Sequence, residues 1–175
     1  MTAAPVEVVW NETREHAFQK LKRRISTPPI LKLPDVTKPF ILQTEASHIG
    51  IGAVLLQEDA AGEKRPVAFA SRKLQPRETH YSTIERECFA IVWEITKFQQ
   101  YVYETEFFLE TDHEPLQYFR RAKFQNGRLM QWVLTLQPYR FLLRAIRERD
   151  NVGADCLKRN PLEKEDDEAT LPKVV

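Results

Sequence analysis

The chain has 175 residues, 42% of them hydrophobic and 29% charged, which suffices for one domain with a genuine core and excludes a disordered or fibrous polymer. Lysine plus arginine number 26 against 25 aspartate plus glutamate, so there is no global basic excess and any contact with nucleic acid must come from local patches. Two cysteines, Cys88 and Cys156, are too few for a disulfide framework, and the scattered His16, His48, His80 and His113 lack the paired spacing of a zinc enzyme.

No apolar run approaches the roughly 18 residues of a membrane span, and the first residues do not read as a signal peptide. A cytoplasmic or nuclear setting without membrane contact is the expectation. Met1 to Val9 carry little pattern. From Asn11 to Ile25, Ala17, Phe18, Leu21 and Ile25 keep helical spacing, and Thr27-Pro28-Pro29 ends the run. Pro39 opens a strand, FILQTEAS, that ends in Glu45. Gly50-Ile51-Gly52 reads as a bend, Ala53 to Gln57 as a second strand, EDAAGEK as a turn and Pro66 to Arg72 as a third strand. The three predict an antiparallel meander.

The strongest helix signal is Tyr81 to Phe98. Ser82 and Glu85 make a capping box, and Ile84, Cys88, Ile91, Ile95 and Phe98 form a core-facing stripe. Cys88 lies in that stripe and reads as a small buried hydrophobe. Glu85 is explained by capping, whereas Glu87 falls on the flank of the stripe. There it is either a solvated edge glutamate or a carboxylate met by a cation, a metal or a donor. Phe107 to Asp112 is a fourth strand, also ending in a carboxylate. A meander, a long helix and a strand predict a parallel return beside the first strand through a right-handed crossover, which puts Glu45 and Asp112 at the same carboxyl end.

Pro115 to Phe119 reads as a short helix and Asn126 to Leu136 as a longer one with Leu129, Trp132, Val133 and Leu136 on one side. Tyr139 to Arg144 is a fifth strand. Asn151 to Asn160 is a last short helix, capped by Asp150 or Asn151 and carrying Asp155. The acidic run EKEDDEA beyond it reads as a disordered tail. The domain plan is therefore a helix and tether over 1–38, an α/β domain over 39–160 and a tail over 161–175.

Acidic residues thus stand at the end of strand one (Glu45), on the central helix (Glu87), at the end of strand four (Asp112) and in the last helix (Asp155). In that order, the stretches FILQTEAS, GAVLLQ, PVAFASRKL, HYSTIERECFAIVWEI, FFLETDHEPLQ, RLMQWVLTLQPYRF and NVGADCLKRN resemble the ribonuclease H domain of gypsy-type LTR retrotransposon Pol polyproteins, and more loosely retroviral ribonuclease H. The upstream WNETREHAFQKLKRRISTPPILKLPD resembles the tether that joins a reverse transcriptase to that domain. The resemblance implies a ribonuclease H-like fold with a five-stranded mixed sheet flanked by helices. It also implies that Glu45, Glu87, Asp112 and Asp155 are catalytic and ligate Mg²⁺, with Mn²⁺ as the alternative ion. Hydrolysis of the RNA strand of an RNA–DNA hybrid by two such ions needs hard oxygen ligands, which suits carboxylates.

Two departures from the family bear on the site. Its first acidic position is ordinarily the aspartate of Asp-Ala-Ser, and this chain has Glu45-Ala46-Ser47; family members commonly carry Pro-Gly before the last helix, where this chain has Glu148-Arg149. The extra methylene of Glu45 shifts a ligand by about 1.5 Å, a poor match to metal–oxygen distances of roughly 2.0–2.1 Å. The resemblance implies first a ribonuclease H acting on RNA–DNA hybrids, with a reverse transcriptase domain in the same polyprotein as a partner; the two departures motivate the alternative, a catalytically silent, domesticated copy kept as a nucleic-acid- or protein-binding module. An integrase or transposase fits the order of motifs less well. Candidate phosphate contacts are Arg72, Lys73, Arg77, Arg120, Arg121, Lys123 and Arg128.

Overall fold

The computed structural model describes residues 9–25, 31–112 and 127–159. The expected helix over Pro115 to Phe119, the cations Arg120, Arg121 and Lys123, the Thr27-Pro28-Pro29 stop and the acidic tail lie outside the described residues.

Strands β1 (Phe40–Ala46), β2 (Gly50–Glu58), β3 (Lys64–Lys73), β4 (Glu106–Thr111) and β5 (Arg140–Ala145) build one mixed sheet in the order β3-β2-β1-β4-β5. The first three pair antiparallel, while β4 lies parallel to both β1 and β5. The parallel return of the fourth strand beside the first is as the sequence predicts. Helices α1 (Glu12–Ile25), α2 (Thr83–Lys97), α3 (Gln99–Val102), α4 (Gly127–Leu136) and α5 (Val152–Arg159) complete the fold.

All seven residues of β1 are buried, because both faces of the sheet are covered. On one face Phe40, Leu42, Phe107 and Leu109 pack with Cys88, Ile91 and Ile95 of α2 and with Leu129, Trp132 and Leu136 of α4. On the other, Ile41, Val54 and Leu56 pack with Phe108 and with Leu157 of α5. The alternation of Phe40 and Leu42 against Ile41 follows the two-residue period of a strand. Each fully buried isoleucine of α2 contributes roughly 1.5–3 kcal/mol. That helix is buried continuously from Arg86 to Ile95, which is broader than the stripe its spacing predicts, since α4 covers a second side.

One expectation is displaced. The bend read at Gly50-Ile51-Gly52 lies earlier, where the Ser47 N–H donates to the Gly50 carbonyl, and Gly52 sits inside β2. The need for glycine there is tertiary. A Cβ at Gly52 would stand 2.6 Å from both Leu157 Cβ and Lys158 N, so α5 lies directly on the strand backbone.

The segment ahead of β1 is also bound to the sheet. The buried Gln57 side chain accepts from the Asp35 N–H and donates to the Asp35 and Lys38 carbonyls, and the Lys32 N–H donates to the Pro66 carbonyl. Packing thus reaches back before the boundary expected at residue 39. Among the described residues, no helix is long and apolar enough to cross a membrane.

Candidate functional site

The site forms where β1 and β4 end. Gln43 pairs with Glu110 in the parallel register, and Glu45 and Asp112 lie two residues further along each strand. Glu87 comes from α2, whose first turn is fixed by the predicted capping box: Ser82 and Glu85 bond reciprocally. Glu87 is buried, so the solvated-edge reading of it does not hold. A cleft of about 530 Å³ is lined by Glu45, Glu87 and Asp112 together with Ser47, His48, Thr83, Arg86, Arg147 and Lys158. Three of the four predicted carboxylates, from three elements, therefore share one cavity.

Asp155 is not in that lining and joins the others through a lysine. Lys158 Nζ donates to Glu45 Oε1 at 2.6 Å and stands 3.2 Å from Asp155 Oδ1. The second oxygen of Glu45 accepts from Asn151 Nδ2 at 2.8 Å, and that amide also donates to the Thr44 carbonyl at 3.0 Å. Asn151, one of the two expected caps, directly precedes α5 and its carbonyl accepts from the Asp155 N–H, while its side-chain amide reaches back to β1. Arg159 donates to both oxygens of Asp155, and the Ser47 hydroxyl lies 3.0 Å from the Lys158 carbonyl, tying the end of β1 to α5.

These contacts set the charges. Burial pushes the Glu45 carboxyl above its ordinary range, against the pull of Lys158, and the charge of Asp112 adds to the rise. Burial alone would lower the Lys158 ammonium, but its bonds to Glu45 and Asp155 outweigh that and hold it above its usual value. Asp155 is held below the usual carboxylate range, first by Arg159. Cys88 is buried and its thiol is pushed up to about 12, chiefly by burial, in keeping with a core residue.

A further carboxylate, Glu94, lies two turns beyond Glu87 on α2 and is fully buried. Among the described residues neither of its oxygens meets a hydrogen-bond partner. Burial, and then the charges of Glu87 and Glu45, push its carboxyl well above the ordinary range.

The donor set is right in kind for Mg²⁺, being oxygen throughout. Its arrangement does not fit. Both oxygens of Glu45 are bonded to Lys158 and Asn151, both oxygens of Asp155 to Arg159, and among the described residues no three His, Cys, Asp or Glu side chains come together to hold an ion.

The proposed phosphate contacts divide. Arg72 is a correction: it is buried, its guanidinium donates to both oxygens of Glu78 at 2.7 and 3.1 Å, and it stacks over Phe89 and Trp93. It joins β3 to the core and is not presented to a phosphate. Lys73 and Arg77 are exposed. Arg128 is half-exposed; it donates to Glu85 at 3.0 Å and stacks over Tyr81, bracing α4 against the start of α2. Sequence reasoning missed Lys158, Asn151, Arg86 and Arg147. Only Lys158 carried a signal, standing three residues after Asp155 on the same helical face.

Residues 35–139 match the family described as the RNase H-like domain found in reverse transcriptase. Over 147 residues the chain is 40% identical to the retrovirus-related Pol polyprotein from transposon 297 of Drosophila melanogaster, covering 84% of this chain and 13% of that protein. It is 37% identical over 173 residues to the Pol polyprotein from transposon gypsy of the same organism, covering 95% of this chain and 16% of the relative. The chain thus spans under a fifth of these relatives. Among solved structures, LC11-RNase H1 in complex with an RNA/DNA hybrid superposes with a TM-score of 0.52 at 14% identity, covering 70% of this chain and 95% of that one. That likeness is one of fold.

Proposed function

Because the chain belongs to the family of RNase H-like domains found in reverse transcriptase, we propose that it serves a retroelement Pol polyprotein as a module that holds an RNA–DNA hybrid across the cleft at the ends of β1 and β4. The observation that carries this reading is the cleft itself, whose lining Glu45, Glu87 and Asp112 share with the cations Arg86, Arg147 and Lys158. Lys73 at the end of β3 and Arg77 beyond it are exposed cations that a phosphate backbone could meet. Contacts to 2′-hydroxyls would separate hybrid from duplex DNA.

The test is fluorescence anisotropy of a labelled RNA–DNA hybrid against the 175-residue chain in EDTA. Binding that survives chelation and falls with added salt supports the proposal; no preference for hybrid over duplex DNA counts against it.

A second reading, Mg²⁺-dependent hydrolysis of the RNA strand by Glu45, Glu87, Asp112 and Asp155, is favoured by the convergence of three of these four on one cleft. It requires Lys158 to release Glu45 first. A cleavage assay in Mg²⁺ and in Mn²⁺, with Asp112→Asn as control, distinguishes the two: product formed by the native chain and lost in the control would establish the second.

A further inference from the structure

We infer that Lys158 is a built-in cation standing where this cleft would hold a divalent ion, so that the folded chain keeps its carboxylates neutralised from within and closed to Mg²⁺ and Mn²⁺. This deepens the hybrid-holding reading and rests on the family resemblance for which carboxylates a metal centre would need.

The geometry is specific. A single ammonium lies within ion-pair distance of Glu45 on β1 and Asp155 on α5, two side chains that a metal centre would need to share. A divalent ion requires such oxygens at about 2.0–2.1 Å in near-octahedral order, and an ion ligated by Glu45 Oε1 would stand against the ammonium charge that lies 2.6 Å from that oxygen. The Glu45 side chain is 1% exposed and that of Lys158 11%, so the pair is largely withdrawn from bulk solvent at the floor of the cleft. Withdrawing the ammonium would leave a buried carboxylate with one neutral amide donor, Asn151.

The lysine is also fixed by its backbone. Its carbonyl lies against the Ser47 hydroxyl, and its N–H segment rests on Gly52, where there is no side chain to hold it off. Helix α5 therefore delivers Nζ to the cleft as part of the fold. The second oxygen of Glu45 and both oxygens of Asp155 are hydrogen-bonded as well, so a pair of ions would have to compete for them with Asn151 and Arg159.

Mn²⁺ uptake by the full chain, followed by electron paramagnetic resonance of the free ion, tests this. The native chain is expected to take up none in the cleft, and its melting temperature should be the same in EDTA and in Mg²⁺. Lys158→Met should gain Mn²⁺ affinity by at least about tenfold, and adding Asp112→Asn should remove the gain. If Lys158→Met does not fold alone, circular dichroism in excess Mn²⁺ decides: recovery of the native spectrum supports the inference, and no recovery overturns it. Native uptake equal to that of Lys158→Met and abolished by Asp112→Asn overturns it, as does a folded Lys158→Met that binds no ion. Hybrid anisotropy in EDTA is read separately, so failure of the lysine inference and failure of hybrid binding give different results.

Discussion

Lys158 and Glu45, 113 residues apart in the chain, meet as a buried ion pair with Nζ 2.6 Å from Oε1. The pair couples the first strand to the last helix, and most of what is particular to this cleft depends on it.

Breaking a buried pair from one side leaves an uncompensated charge. Lys158→Met is expected to cost about 3–5 kcal/mol in urea unfolding, whereas Lys158→Met combined with Glu45→Gln should recover most of the loss. A double variant whose loss equals the sum of the two single losses would show that the pair carries no coupling.

Glu94 is a liability of opposite kind. Burial holds its carboxyl well above the ordinary carboxylate value of 4.5, so its contribution to stability is fully present below that pH and is lost as the pH climbs above it. Stability of the native chain should fall as the pH rises above 4.5, while Glu94→Gln removes that slope and gains about 1–3 kcal/mol at neutral pH. Unfolding curves of both proteins across this range check the sign; parallel slopes would refute the assignment.

Arg72 and its neighbours separate structure from binding. Arg72→Ala should lower the melting temperature, with a cost of about 3–5 kcal/mol from stranding the buried Glu78. Lys73→Ala and Arg77→Ala should leave stability almost unchanged and each reduce the salt slope of hybrid binding by about 1. The reverse pattern in anisotropy and thermal melts would place the phosphate contact on Arg72.

Gly52→Ala introduces a methyl group where α5 backbone already lies 2.6 Å away. Overpacking of this kind costs about 1–3 kcal/mol, and hydrogen exchange should rise in α5 first, because that helix must lift off β2. Unchanged protection in residues 152–159 would mean the strand yields instead.

Local order is where the amino-acid sequence was most informative. The capping box at Ser82 and Glu85, the stripe through Cys88, Ile91 and Ile95, and the strands that end near Glu45 and Asp112 all follow from capping chemistry and from periodicities of 3.6 and 2 that neighbouring residues impose. So does the parallel return of β4 beside β1, since one long helix between two strands leaves few other connections.

Which side chains answer the buried charges was settled only by packing. Lys158 stands one turn after Asp155, yet nothing near it in sequence announces Glu45. Arg72 reads as a surface cation until Glu78, Phe89 and Trp93 enclose it. Gly52 reads as a bend until α5 is laid upon it. Pattern and propensity act over a few residues, whereas the cost of an unpaired buried charge is met by whatever the fold brings within a few ångströms, however distant along the chain.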